Sequence, residues 1–209
     1  MVLNSNYLYA PSLSEYKQTG GNIHGYIMNN QLKWLKETLK KFEKDNDIKN
    51  VFVTIHTPAF PNGGHSYDDM WYSGDNSQRP FIAGKPLAKG IIERRDEFLD
   101  ILINQTNKVV ALLTGDEHNY NHLLIDDKMP RYPKDWKKPK LKLNRSILQI
   151  NNGAAGAPYY AQEKLPWSKN VSGFTTQNAL VLITVDGEHI TAVVKNPDTL
   201  EIVDKFVIK

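Results

Sequence analysis

The chain has 209 residues, of which 40% are hydrophobic and 23% are charged, and its formal net charge is +3. These values are typical of a folded globular chain with one substantial core, and so small a charge does not by itself indicate nucleic-acid binding. Cysteine is absent, which excludes disulfides, thiolate metal sites and a thiol nucleophile. The sequence has neither an apolar run of about twenty residues nor a secretory signal, so we expect no membrane span and leave the compartment open.

The first predicted element is a helix over 30–44. Its apolar positions recur at helical spacing: Leu32, Leu35, Leu39 and Phe42. Asn29 or Asn30 is the expected N-cap. An apolar strand, Val51–Ile55, follows and ends on His56.

A long segment, 58–89, separates this strand from the next helix, and connections of this length are commonly functional. Its candidates for substrate contact are His65, Tyr67, Asp68, Asp69, Trp71, Tyr72 and Arg79. Of these, we expect His65 or Arg79 to contact a substrate, since both side chains can donate hydrogen bonds to an anion. The alternative is that the aromatic residues of the segment anchor it to the core.

A second helix-to-strand unit consists of a helix over 91–103 and a strand over 109–113, after which the sequence presents Gly115, Asp116 and His118. Two such units in succession favour an α/β layered fold with the helices covering one face of a sheet.

A basic stretch, 128–145, follows. Its cations are Lys128, Arg131, Lys134, Lys137, Lys138, Lys140, Lys142 and Arg145, and it contains one acid and three prolines. Basic residues interleaved with aromatic ones can bind nucleic acid, but the stretch contains no recognised module. The preferred interpretation is a solvated insertion loop, whose cations could also attract an anionic ligand if the loop folds over a binding crevice.

The C-terminal part predicts a strand over 146–150, a turn over 151–158 and a closing β-meander over 179–209. Asp186-Gly187 between two apolar runs is a hairpin signal. We find no internal repeat, so residues 1–209 are interpreted as a single domain.

The two strand ends carry the strongest functional signal. Loops at the ends of buried strands are where α/β folds hold ligands and metals. Asp116 and His118 are two residues apart, so their side chains point to the same side if the backbone stays extended after Gly115. With His56, these residues predict a metal site, although a single histidine at a strand end is more often structural.

Three segments resemble the later half of the calcineurin-like metallophosphoesterases, the superfamily that includes the purple acid phosphatases. They are Gln31-Leu-Lys-Trp-Leu35 opening a helix, His56 before Thr57-Pro58, and Leu113-Thr-Gly-Asp-Glu-His-Asn-Tyr120. The resemblance implies a layered sandwich of mixed β-sheets with flanking helices. It also implies two metal ions (manganese, iron or zinc), with His56 and Asp116 on one ion and His118 on the other.

This chain departs from the family pattern in two ways. Asp116 stands where the family usually has histidine, and a carboxylate shifts the preference from zinc toward manganese, magnesium or iron. The family's upstream motifs, Asp-x-His, Gly-Asp-x-x-Asp and Gly-Asn-His-Asp/Glu, do not occur before His56, since Gly21-Asn22-Ile23-His24 contains an inserted isoleucine. The N-terminal half of the fold, with the bridging carboxylate, is therefore expected to lie outside this chain.

The resemblance implies an enzyme that hydrolyses phosphate esters by metal-activated water, or the C-terminal half of one. Its substrate would be a small phosphoester or a phosphorylated molecule, whose phosphate we expect His65 or Arg79 to contact. The alternative is a degenerate, non-catalytic binding module of the same fold, and a nucleic-acid binder built on residues 128–145 is a third hypothesis. Apolar surface left by an absent N-terminal half also predicts association with that half or self-association.

Overall fold

A computed structural model describes residues 1–9 and 20–209. Its main layer is a five-stranded mixed sheet. Its strands, in spatial order, are β1 (Val51–Thr54), β4 (Val109–Thr114), β6 (Ile147–Asn152), β5 (Tyr120–Ile125) and β7 (Val171–Thr175). β1, β4 and β6 are parallel, whereas β5 runs antiparallel to both β6 and β7. The parallel arrangement brings the carboxyl ends of β1 and β4 to one edge of the sheet.

Two helices cover one face of this sheet, as the alternation of elements predicted. Helix α1 (Asn29–Lys44) buries Leu32, Leu35 and Leu39, the residues that recur at helical spacing. Helix α2 (Ile91–Leu99) continues as a π-helical turn, Asp100–Asn104. Both helices pack with the strands in one large apolar core. Among the described residues, no helix is long and apolar enough to cross a membrane.

A three-stranded sheet packs on the opposite face. It consists of β8 (Leu180–Asp186), β9 (His189–Lys195) and β10 (Ile202–Val207), in the order β10-β9-β8. Its inward residues join those of the five-stranded sheet in a second apolar core, which includes Ala111, Ile150 and Val194. Its outer face exposes Leu180, Leu182, Ile202 and Val207. Association through such a surface stays a prediction.

Several details differ from the sequence expectations. The second sheet is antiparallel rather than mixed, because β8, β9 and β10 follow one another as hairpins. The N-cap of α1 is Met28, and neither Asn29 nor Asn30 caps it, since both lie within the first turn. The hairpin turn consists of Gly187 and Glu188, because Asp186 pairs with His189, and Gly187 has a φ of 58°.

The segment 58–89 contains a short 3-10 turn, Tyr72–Gly74, and a small hairpin of β2 (Phe81–Ile82) and β3 (Lys85–Pro86). Trp71 and Tyr72 are buried in the main core. The aromatic residues of this segment therefore anchor it beside the ends of β1 and β4.

Candidate metal centre

The candidate site lies at the carboxyl ends of β1 and β4. The N–H of Gly115 donates to the carbonyl of His56 over 2.9 Å, which holds the two strand ends together beyond the sheet. The backbone then turns at Asp116, whose φ is 71°. This left-handed conformation is unusual for a residue other than glycine, and such residues often lie at functional sites.

Three imidazoles surround the Asp116 carboxylate. The Nε2 of His24 lies 2.6 Å from Oδ2, the Nε2 of His56 lies 3.2 Å from Oδ1, and the Nε2 of His65 lies 3.8 Å from Oδ1. The side chains of His24, His65 and Asp116 are 13%, 16% and 10% exposed, whereas that of His56 is 57% exposed. His56 is therefore the imidazole that faces solvent.

A turn before α1 positions His24. The side chain of Asn22, which is completely buried, donates to the carbonyl of Tyr26 over 2.8 Å and to that of Tyr7 over 2.9 Å. The hydroxyl of Tyr72 donates to the carbonyl of His24 over 3.1 Å. These bonds connect the turn to the segment that carries His65 and Asp69.

The backbones of Gly25 and Asp69 are in direct contact. Gly25 has a φ of +77°, and a Cβ at this position would lie 2.7 Å from the backbone carbonyl of Asp69. Glycine is required both for the left-handed conformation and for this close approach. The contact places the Asp69 carboxylate next to His24, with 3.2 Å between Oδ1 and Nε2.

Asp69 is the most unusual acid of the site. Its side chain is completely buried, and neither carboxylate oxygen accepts a hydrogen bond. Its φ of 50° also lies in the left-handed region. Buried carboxylates ordinarily pair with donors, cations or metals. An oxygen pair in this condition, directed toward His24, fits a bound cation.

The electrostatics of the two central acids differ. Burial and the neighbouring charges of Asp116, Glu117 and Asp68 raise the pKa of Asp69 well above its usual value. Burial would also raise the pKa of Asp116, but hydrogen bonds from His24 and His56 outweigh it and hold that pKa far below its usual range. Asp116 is thus stabilised as a carboxylate, whereas Asp69, whose Oδ1 lies 3.2 Å from the same His24 imidazole, favours its protonated form unless a cation binds beside it.

A third buried acid, Glu117, fixes the segment that follows His56. Its Oε1 accepts the N–H groups of Asn62 and Gly63, each over 2.5 Å. Burial raises the pKa of Glu117 to about 7, against the lowering effect of these two bonds. The residue connects the end of β4 to the segment that carries His65 and Asp69.

Among the described residues, two groups of side chains could hold a cation. One consists of His24, Asp69 and Asp116, and the other of His65, Asp68 and Asp69, with the ligand atoms of each group within 4.8 Å of one another. Imidazole and carboxylate donors together suit manganese, iron or zinc.

Comparison with solved structures gives a fold likeness. A purple acid phosphatase from yellow lupin (Lupinus luteus) seeds matches 86% of this chain and 28% of its own, with a TM-score of 0.52 and 11% identity. The fold of this chain resembles part of that purple acid phosphatase. A structure of PhoD matches 87% of this chain and 31% of its own, with a TM-score of 0.42 and 13% identity. The chain thus spans about a third or less of either structure. No family model and no curated protein matches the sequence.

The predicted site residues are only partly brought together. His56, Asp116 and His65 meet at the site, as described above. The left-handed turn at Asp116 directs the His118 side chain away from the site, because the backbone is not extended after Gly115. The Nδ1 of His118 lies 2.7 Å from the carbonyl of Pro158, and the His118 ring stacks on Tyr160 with 4.3 Å between ring centroids. Metal ligation by His118 stays a prediction.

Arg79 directs its guanidinium to the carbonyls of its own segment, those of Ser77, Ala88 and Asn76, at 3.1 to 3.4 Å. It belongs to neither group of candidate ligands among the described residues. Contact with a phosphate stays a prediction for Arg79.

His24, Asp68 and Asp69 were not predicted as ligands. An isoleucine separates His24 from Asn22, which breaks the family motif, and the sequence places the two acids among the candidates for substrate contact. The spacing of His65 and the Asp68-Asp69 pair, three and four residues apart, was the available signal. The partnership with His24 depends on the Gly25 contact, which has no sequence signature.

The basic stretch 128–145 packs along α2. Lys138 forms an ion pair of 2.8 Å with Glu93, and Tyr132 donates to Asp96 over 2.9 Å. The guanidinium of Arg145 donates to four backbone carbonyls, those of Leu102, Ile103, Thr106 and Val109. At least two of the predicted surface cations therefore have partners within the fold.

Proposed function

We propose that this chain is a metal-dependent phosphoesterase, or the later part of one, whose cation lies among His24, Asp69 and Asp116. The observation that carries the proposal is the Asp69 carboxylate, which is completely buried, accepts no hydrogen bond and shares the His24 imidazole with Asp116. The fold likeness to part of a phosphatase supports the choice of reaction.

The neighbouring acids make a cation the best explanation of the cluster. A buried carboxylate beside a second acid is strongly unfavourable unless a proton or a cation lies between them. The histidines compensate Asp116, since His24 and His56 both contact it. Asp69 shares the His24 imidazole with Asp116, so it needs a further positive charge when ionised. The mixed oxygen and nitrogen donors favour a manganese, iron or zinc ion.

In phosphoester hydrolysis, a bound cation supplies Lewis-acid activation of the phosphoryl group and lowers the pKa of a coordinated water. The residues of the chain supply orientation and proton transfer. We assign His24, Asp69 and Asp116 to holding the cation. We assign His56 to proton donation at the leaving-group oxygen, because its imidazole is the most exposed of the three around Asp116. The Asp116 carboxylate, 3.2 Å from the Nε2 of His56, orients the ring.

The test is hydrolysis of an aryl phosphomonoester and an aryl phosphodiester by metal-depleted protein, before and after addition of Mn²⁺, Fe²⁺ or Zn²⁺. We expect metal-dependent turnover that His24→Ala and Asp116→Asn abolish. His56→Ala should bind the metal but lower kcat at least tenfold, since general acid catalysis contributes about 10²- to 10⁴-fold. The matched control is His189→Ala, which changes an exposed histidine of β9.

Absence of turnover with every metal, in folded protein that still binds the ion, would contradict the catalytic assignment. It would support the alternative of a metal-binding module without catalysis. Turnover that persists in Asp116→Asn would contradict the site assignment itself.

A further inference from the structure

A cavity of about 480 Å³ lies within the basic stretch 128–145. Its lining includes five cations: Lys128, Arg131, Lys134, Lys140 and Lys142. Asp127 is the one acid among the described residues of the lining, which includes none of the candidate metal ligands. Binding sites for small organic molecules are clefts of about 300 to 1,000 Å³, so this cavity is large enough for one.

The single acid of the cavity is already paired. The Oδ1 of Asp127 accepts hydrogen bonds from Nη2 of Arg131 over 3.1 Å and from the N–H of Leu143 over 2.8 Å. The lysine ion pairs of the described residues involve other lysines, Lys33, Lys89, Lys138 and Lys209. Four lysines therefore line one small space without a carboxylate partner.

Arg131 adds a buried positive charge to the wall of the cavity. The residue is 3% exposed, and its Nη2 also donates to the carbonyl of Leu141 over 2.8 Å. Its Nε and Nη1 are buried and have no hydrogen-bond partner. Buried donors without partners are uncommon and call for a bound water or ion. An anion in the cavity would compensate the charge of Arg131.

A second buried guanidinium lies beside the first. Arg95 is completely buried, and its Nη2 donates to the carbonyl of Arg131. Its Nη2 lies 3.9 Å from Asp96 Oδ1, which is long for an ion pair. Burial and the neighbouring charge of Arg131 lower the pKa of Arg95 to about 10. The two like charges thus raise the positive potential behind the cavity wall.

Tyr132 contacts two of the lining cations. Its ring centroid lies 5.6 Å from Cζ of Arg131 and 5.6 Å from Nζ of Lys140. Its hydroxyl donates to Asp96 over 2.9 Å and accepts the N–H of Leu141 over 2.7 Å, which fixes the ring. The lining also contains apolar residues: Met129, Pro130, Pro133 and Leu141. Apolar walls with a few convergent polar groups are typical of sites for organic ligands, and lysine and arginine bind phosphate.

We propose that this cavity binds a small organic molecule that carries several phosphate groups, such as a nucleoside triphosphate. The lysines bind the phosphates, and Tyr132 and the prolines contact the organic part. The site is separate from the candidate metal centre, so binding does not require the proposed function.

Calorimetric titration of the metal-depleted chain with ATP at low salt tests this proposal. We expect one ATP per chain, and weaker binding of tripolyphosphate, which has as many phosphates but no organic part. Lys140→Gln combined with Lys142→Gln should weaken ATP binding at least tenfold, because charge-assisted hydrogen bonds to phosphate are lost. The matched control combines Lys40→Gln with Lys41→Gln, which change two exposed lysines of α1, and it should leave the affinity unchanged.

Four results would overturn the proposal. Equal weakening by the two double variants would show that net charge alone attracts ATP, and the absence of saturable binding at low salt would remove the site. Tripolyphosphate that binds as tightly as ATP would contradict the role of the apolar walls. A single-stranded oligonucleotide that binds more tightly than ATP, through the same two lysines, would assign this surface to nucleic acid. Both double variants change exposed side chains only, so the comparison does not depend on altering the buried Arg131.

Discussion

Replacing Asp69 with asparagine should stabilise the metal-free protein while removing its response to metal. Asp69 is completely buried, accepts no hydrogen bond and shares the His24 imidazole with Asp116, and a poorly compensated buried charge costs several kcal/mol. Asparagine removes the charge but keeps polar atoms that lack partners, so we expect a net gain of about 1 to 3 kcal/mol. For a chain of this size the gain corresponds to roughly 2 to 12 °C in Tm.

The pH dependence of this gain has a definite sign. The pKa of Asp69 is raised in the folded protein, chiefly by burial and by the charge of Asp116. Above the unfolded-state pKa, the unfolded chain binds fewer protons than the folded one, so native stability falls as pH rises. The advantage of Asp69→Asn should therefore be larger at pH 8 than near pH 4.

Thermal unfolding in chelator and in Mn²⁺ measures both effects. At a metal concentration about 100 times Kd, one bound ion adds about 2.7 kcal/mol to the unaltered chain. Asp69→Asn should be the more stable protein in chelator and should gain little from metal. The exposed control Asp47→Asn should follow the unaltered chain in both conditions. The reasoning is refuted if Asp69→Asn is less stable than the unaltered chain in chelator, or if it responds fully to metal.

Three further predictions concern the elements that support the site. Gly25→Ala should weaken Mn²⁺ binding at least tenfold in a calorimetric titration, since its Cβ would lie 2.7 Å from the Asp69 backbone; unchanged affinity would contradict the role of that contact. Glu117→Gln should gain stability relative to the unaltered chain as pH rises from 5 to 8 in chelator, because burial raises the pKa of Glu117 to about 7 and its charged form disfavours the folded state. A stability difference that does not change with pH in denaturant unfolding would contradict this prediction. Arg145→Ala should cost about 2 to 4 kcal/mol in denaturant unfolding, because it leaves several backbone carbonyls unpaired, whereas the exposed Lys137→Ala should change stability by less than about 0.5 kcal/mol.

Much of the fold follows from local patterns. The buried positions of α1, Leu32, Leu35 and Leu39, are those that recur at helical spacing. The strands before His56 and before Gly115 are apolar runs of ordinary length. The details that failed depend on backbone geometry that these patterns do not encode. An example is the π-helical turn Asp100–Asn104, which continues the helix directly after Leu99 without an intervening glycine or proline.

The candidate site was less predictable, for a physical reason. His56 and Asp116 follow strands that are neighbours in a parallel sheet, so their proximity could be inferred from the sequence. His24 and Asp69 lie on turns 45 residues apart, and their contact depends on the left-handed backbone of Gly25 and Asp69. The prediction that Asp116 and His118 point to the same side requires an extended backbone. The φ of 71° at Asp116 turns the backbone, so the two side chains point in different directions.

The most direct test of the central claim is a crystal structure of the protein grown with Mn²⁺, with the ion located by anomalous scattering. We predict a peak at roughly 2.0 to 2.4 Å from the Nε2 of His24 and from carboxylate oxygens of Asp69 and Asp116. A well-ordered structure at saturating Mn²⁺ with no peak at these three residues, or with manganese bound only at exposed acids elsewhere, would contradict the account.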